Sequence, residues 1–288
     1  MKLKLEVCNS FNRAASSYER AARVQNTIGE QLFARLPLLK IQPKYILDLG
    51  CGSGIFTQKL KEHYPKAQVV GLDIAYAMLQ NSQAKQGWLK KWGIVNADMH
   101  KLPFADYQFD LVFSNQALHW SDNTQELLAE IYRVMGKEAC FMFSTLGPDT
   151  FKELRQAFAE IDDNTHVNDF LDMHDLGDMM LANNFVDSVV DMDILTAHYP
   201  STVSLLQGLK QQGVKNISKN RRKSLAGKSF YTDLQLSMQK FITLDNMQPL
   251  TYEVVYGHAW RGALMAKKSP RNTFSVAELR SLVAQTGS

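Results

Sequence analysis

"YILDLGCGSGIFTQKL", Tyr45–Leu60, joins an apolar run to three glycines at alternate positions, Gly50, Gly52 and Gly54, and then to an amphipathic segment. Strand, tight turn and helix in that order form the opening unit of a doubly wound sheet. The same alternation continues downstream. "AQVVGLD", "WGIVNAD", "FDLVFSN" and "ACFMFSTLG" are β-rich and apolar almost throughout, and helical spacing fills the segments between them, as in "AYAMLQNSQAK" and "NTQELLAEIYRVMG". Strands apolar on both faces, separated by helices, predict a mostly parallel sheet covered by helices on both sides.

After Leu146 the pattern loosens. "PDTFKELRQAFAEI" and "MHDLGDMMLANNF" have helical spacing, while "DSVVDMDILTAHY" and "LTYEVVYGHAWRG" have that of strands. A strand pair at this place closes the sheet's edge, giving seven strands in all with an antiparallel edge strand. The expected organisation is an N-terminal helical lid over 1–40, a main sheet domain over 41–264 with a basic, partly helical insertion at about 201–245, and a tail over 265–288. Ser275 and Glu278 form a capping box there, which predicts a short last helix.

The 288 residues are 45% apolar, ample for a buried core. Cys8, Cys51 and Cys140 lie far apart with no CxxC pair, which argues against a disulfide scaffold or zinc ribbon. No secretory leader or membrane-length apolar run is visible, so the expected location is cytoplasmic, without membrane association. A net charge of +3 does not point to nucleic acid. Its distribution is uneven: Glu160–Asp193 holds no Lys or Arg, and Ile194–Thr232 holds no Asp or Glu. The second stretch suits an acidic partner, or the two blocks neutralise each other across the fold. "DMHDLGD", Asp172–Asp178, gathers a histidine and carboxylates, but its spacing matches no metal-ligand pattern; Asp172 is expected to cap a helix, and no metal is expected.

The glycine loop is not a dinucleotide fingerprint, because its third glycine comes one residue early, and it lacks the Gly-Lys-Ser/Thr ending of a phosphate loop. Asp48, two residues before Gly50, would oppose a pyrophosphate: at ~4 Å a like-charge contact costs about 4 kcal/mol near a protein surface. The same carboxylate favours a ligand bearing an ammonium and a sulfonium. Asp73 ends the second strand, where an acidic residue takes ribose hydroxyls. Asp98 ends the third, suited to accept from an adenine amine, with Met99 beside it and Asn115 closing the fourth strand. Each aspartate alone has a plainer reading as a strand-end turn residue. Together with glycines that admit close backbone approach, the set points to S-adenosyl-L-methionine, leaving as S-adenosyl-L-homocysteine.

The turn after the fourth strand reads "SNQALHW", Ser114–Trp120, rather than the Asn/Asp-Pro-Pro-aromatic turn of enzymes that methylate base amines. A carboxylate acceptor needs no such device, being ionised already at neutral pH. Over most of its length the chain resembles the malonyl-[acyl-carrier protein] O-methyltransferases of biotin synthesis, a class I methyltransferase family with a Rossmann-like sheet. The resemblance rests on "FNRAASSYERAARVQ", "LDLGCGSG", "FSTLGPDTFKELRQAF", "HVNDFLDMHDLGDMM", "GLKQQGVKN" with "RRKSLAGK", and "LTYEVVYGHAW". It implies methylation of the free carboxylate of a malonyl thioester on acyl carrier protein or coenzyme A. His119 before Trp120 is closer to a group of complex I assembly factors that hydroxylate a protein arginine. A non-catalytic S-adenosylmethionine-binding scaffold is a third reading.

The family resemblance places Tyr18 and Gln25 on the lid, facing the site; the plainer reading is a helix packed on the sheet. His119 either contacts the substrate carboxylate or is a structural histidine, and Trp120 is either site or core. Arg155 either holds the carboxylate from one side or pairs with a surface acid. Lys219, Arg221, Arg222 and Lys223 are expected to meet the acidic carrier protein.

Overall fold

The computed structural model describes residues 2–88, 91–218, 220–221 and 227–262. Three helices come first, α1 (Lys2–Ala14), α2 (Tyr18–Ala21) and α3 (Arg23–Phe33). The alternating region follows as β1 (Tyr45–Leu49), α4 (Ile55–His63), β2 (Gln68–Asp73), α5 (Tyr76–Ala84), β3 (Gly93–Asn96), β4 (Phe109–Asn115), α6 (Thr124–Val134) and β5 (Met135–Leu146). Then come α7 (Lys152–Ala159), α8 (Met173–Ala182), β6 (Phe185–Tyr199), α9 (Thr202–Gln211), α10 (Lys228–Met238) and β7 (Gln248–Arg261).

The seven strands form one sheet in the order β3-β2-β1-β4-β5-β7-β6. β7 runs antiparallel to both neighbours and lies one place in from the edge; β6 is the outer strand. The Rossmann-like, mostly parallel sheet of the sequence reading is therefore present, with the basic insertion supplying α9 and α10 between β6 and β7.

The strand pleat divides the core between two faces. Along β1, Ile46 joins the cluster containing Ile28, Leu32, Phe56 and Phe113, while Leu47 and Leu49 join Leu72, Leu128 and Ile131 on the other side. Alternation therefore turns Asp48 toward the α3–α4 face. Helix starts are fixed locally: Asn123 accepts from the Glu126 amide, and Asp172 accepts from that of His174.

The N-terminal helices are tied to the sheet domain on two sides. Asn12 Oδ1 accepts from the Ala77 amide at 2.9 Å, and Asn81 Nδ2 donates to the Ala15 carbonyl at 2.8 Å. On the other flank Ser10 Oγ donates to the Gly213 carbonyl, and Glu6 receives Arg221 (2.8 and 3.0 Å) and Lys215 (3.3 Å). The acidic and basic blocks do not neutralise each other through these pairs. Glu160 pairs with Lys240 and Asp191 with Arg35, while Lys215 and Arg221 turn to Glu6. Lys219, Arg222, Lys223 and the tail over 265–288, with its expected capping box and helix, lie outside the described residues.

Candidate active site

The glycine loop sits at the carboxyl end of β1, held by the Gly50 and Cys51 amides donating to the Leu72 carbonyl at 2.8 and 3.0 Å. Gly50 has φ +74°, and a Cβ there would stand 2.4 Å from the Ala117 Cβ. At Gly54, φ +78°, a Cβ would meet Ser82 Oγ at 2.1 Å, so this glycine lets α4 begin against α5. Gly52 differs: nothing lies within 4 Å of its would-be Cβ, which faces open space. The three glycines thus serve packing below the loop and access above it.

A cavity of about 750 Å³, counting its open mouth, lies over this loop. Gly50, Gly52, Asp73, Asp98, Met99 and Asn115 line it from the strand ends, and Lys4, Phe11 and Tyr18 from the N-terminal segment. Asp73 Oδ2 accepts from the Gly52 amide at 2.9 Å and Oδ1 from that of Ala75 at 2.8 Å. Burial nevertheless leaves its carboxyl above the ordinary range. Asp98 behaves oppositely. Partial burial pushes its pKa up, but Lys4 at 2.8 Å and the amide and ring of His100, both at 2.9 Å, outweigh this and hold it down to about 2.

Asp48 is not a wall of this cavity. It is 2% exposed behind the loop and accepts from Thr57 Oγ1 at 2.5 Å. Burial pushes its pKa up to about 7, with the Asp73 charge adding to the effect against the Thr57 bond. Gly54 also lies beneath the cavity rather than on it.

A second, inner chamber of about 460 Å³ shares Phe11, Tyr18, Gln116 and Trp120 with the first. Phe11 stands edge-on to Tyr18 and to Trp120, with centroids 6.2 and 5.2 Å apart, so three rings form the partition. Gln25, expected with the cofactor set, lines this inner chamber instead. His119 also lines it, with Nδ1 3.5 Å from Thr145 Oγ1 and its ring edge-on to Phe170. Burial lowers the His119 pKa to about 3, so the ring is neutral at physiological pH. Tyr18 is pushed the other way by burial and keeps its phenolic proton.

Arg155 lies outside both chambers. Its guanidinium faces Asp169 at 3.4 Å and donates to the carbonyls of Asn168 (3.2 Å) and Pro148 (3.4 Å). Arg221, expected on a partner surface, pairs with Glu6 of α1, as Lys215 also does.

Several lining residues were not singled out from sequence. His100 orients Asp98 while its Nε2 meets Ser121 Oγ at 2.8 Å. Gln116 adopts φ +58°, held by its amide bonds to Ser144, and this places it between the two chambers. Position directly after a parallel strand was the available signal for Gln116; the backbone strain was not visible. Among the described residues no His/Cys/Asp/Glu group is arranged to hold a metal, and no helix is long and apolar enough to cross a membrane.

Residues 47–143 match the family described as "Methyltransferase domain". The Malonyl-[acyl-carrier protein] O-methyltransferase of Legionella pneumophila is 49% identical over 263 residues, covering 91% of this chain and 93% of that protein. The protein of the same name from Gallionella capsiferriformans is 42% identical over 260 residues, covering 88% and 89%. Among solved structures, a putative methyltransferase from Bacillus halodurans superposes with a TM-score of 0.58 at 16% identity, over 81% of this chain and all of that one; at that identity the likeness concerns the fold.

Proposed function

This chain belongs to the malonyl-[acyl-carrier protein] O-methyltransferase family, and from that premise we propose that it esterifies the free carboxylate of a malonyl group on acyl carrier protein. In this reading the product enters the pimeloyl branch of biotin synthesis in the cytoplasm, and malonyl-coenzyme A is the alternative carrier. S-adenosylmethionine is the cofactor, and when bound it supplies an electrophilic methyl group on a cationic sulfur. The outer cavity fits it: carboxylates border an open glycine loop whose Gly52 side is free of protein atoms.

The observation that carries the proposal is the contrast between the chambers. Asp73 and Asp98 border the outer one, whereas the inner one has no charged lining residue once His119 is neutral. A malonate carboxylate is ionised already and needs no base. What it needs is orientation that leaves an oxygen lone pair free. A bidentate arginine would tie up both oxygens, while neutral donors hold the group more loosely. Tyr18 and Gln116, on the shared wall, and His119, inside, are the neutral donors we assign to this task. Arg155 then acts from the outer surface, positioning the Pro148–Asn168 region rather than gripping the nucleophile. Asp73 takes the ribose hydroxyls, and Asp98 the adenine amine. The helices of residues 1–40 close the roof as a lid, with Glu6 latched to Arg221, so that water is kept from the displacement.

The test is incubation with S-adenosylmethionine and malonyl-carrier protein, followed by intact-mass analysis. Gain of one methyl group, removable by mild ester hydrolysis, is expected. No gain with folded, cofactor-binding protein would overturn the assignment.

A further inference from the structure

Outside the inner chamber lies a groove of about 1000 Å³, counting its open side, between α2–α3 and the β6–α9 junction. Arg20, Arg23 and His198 line it and no Asp or Glu does. Arg20 and Arg23 are exposed, and neither has an acidic partner among the described residues. The two acids of these helices, by contrast, are paired: Glu19 with Lys85 and Glu30 with Lys59.

The groove and the inner chamber share a wall. Gln212, 3% exposed, lines both. Its Oε1 accepts from Gln25 Nε2 at 2.9 Å, and its Nε2 donates to the Ala21 carbonyl at 3.1 Å. That carbonyl fixes the orientation of Gln212, and Gln212 in turn fixes that of Gln25, since turning either amide would set oxygen against oxygen. Gln25 Oε1 is thereby left buried with no donor. A buried acceptor of this kind costs about 1–3 kcal/mol unless something supplies an N–H.

Resting on the function proposed above, we infer that this groove receives the phosphopantetheine arm of the substrate, with Arg20 and Arg23 taking its phosphate. The chemistry of the arm follows the order of the groups met on the way in. A phosphate stands at its outer end, amide N–H groups lie along it, and the thioester with its malonyl group is at the tip. Unpaired arginines stand outside, an unpaired amide acceptor lies at the partition, and the neutral chamber lies within. The partition consists of side chains, Gln25 against Gln212, so it parts without moving a strand.

Two substrates that differ only in the phosphate isolate the claim: malonyl-pantetheine and malonyl-phosphopantetheine. The wild-type enzyme should favour the phosphorylated one in kcat/KM by about tenfold or more. In Arg20→Glu/Arg23→Glu that preference should vanish, with melting temperature and S-adenosylmethionine affinity kept as controls of fold. A wild-type enzyme indifferent to the phosphate, or a variant that retains the preference, would overturn the assignment. Calorimetry with unacylated phosphopantetheine against pantetheine reads the same difference without turnover. If no malonyl thioester is methylated while phosphopantetheine still binds through these arginines, the reaction assigned above fails and the groove stands.

Discussion

The two chambers meet at one aromatic partition and handle charge in opposite ways. In the outer one, carboxylates are fixed by backbone amides: Asp73 by Gly52 and Ala75, Asp98 by His100. In the inner one, the lining polar groups are amides, the phenols of Tyr18 and Tyr252, the Trp120 indole and an imidazole that burial keeps neutral. A methyl transfer from a sulfonium to a carboxylate begins with two opposite charges and ends with none. The roles proposed for Asp73 and Asp98 set their charge against the ribose and the adenine amine of the donor rather than its sulfonium. A ring of fixed positive charge on the acceptor side would stabilise the anion before reaction more than during it and so raise the barrier. The asymmetry between the chambers avoids that cost.

The largest effect is expected where backbone, rather than charge, sets the outer chamber. Gly50→Ala places a Cβ 2.4 Å from Ala117 and keeps a left-handed φ that costs an L-residue about 1–2 kcal/mol. With overpacking of about 1–3 kcal/mol added, S-adenosylmethionine affinity should fall by about thirtyfold or more by calorimetry. Adding Ala117→Gly removes the clash and leaves the dihedral cost, so the double variant should recover part of the loss. Full recovery would mean the dihedral matters little; none would mean the loop fails for another reason.

This outer chamber is also the part most legible in the sequence, for a physical reason. A parallel sheet delivers each strand's carboxyl end to one edge, so short local signals at Gly50, Asp73, Asp98 and Asn115 converge once strand–helix alternation is recognised. The inner chamber draws on Phe11, Gln25, His119, Phe170, Gln212 and Tyr252, which come from the N-terminal helices, the turn after β4 and the segments after Leu146. No local period announces that meeting. Asp48 shows the limit within the legible half. Its position in the motif was plain, but the pleat turns it behind the loop, against Thr57. Arg221 shows the same limit at the surface, since nothing local in the sequence announces that it pairs with Glu6.

A second prediction concerns the carboxyl buried behind the glycine loop. Asp48 has a folded pKa of about 7, above its ordinary value of about 3.9, chiefly through burial. Protonated Asp48 is therefore the form the fold favours. Its contribution to stability is fully present below about pH 4 and is lost as pH rises through about 7. Asp48→Asn keeps an acceptor for Thr57 and removes the titration. Relative to this variant, the wild-type melting temperature should decline across roughly pH 4 to 7 and level off above that. Parallel profiles for the two proteins would show that Asp48 does not titrate in this range.

The smallest expected effect concerns Lys4, the cation that the N-terminal segment sets at the outer chamber. Lys4 Nζ lies 2.8 Å from Asp98 Oδ2, while Oδ1 already receives the amide and ring of His100. An adenine amine seeking Asp98 must therefore share Oδ2 with Lys4 or displace it. Each carboxylate oxygen has two acceptor sites, so sharing is sterically simple, but the ammonium competes for the same charge. The side chains of Lys4 and Asp98 are 27% and 34% exposed, and a pair so open to water is worth about 0.2–1 kcal/mol. Lys4→Met retains the stem's packing and removes the competitor, so cofactor affinity should rise by no more than about fivefold. Lys4→Arg keeps the pair and should leave affinity unchanged. Weaker binding in Lys4→Met would mean that Lys4 holds the roof closed over bound cofactor, and the donor side would then depend on a cation after all.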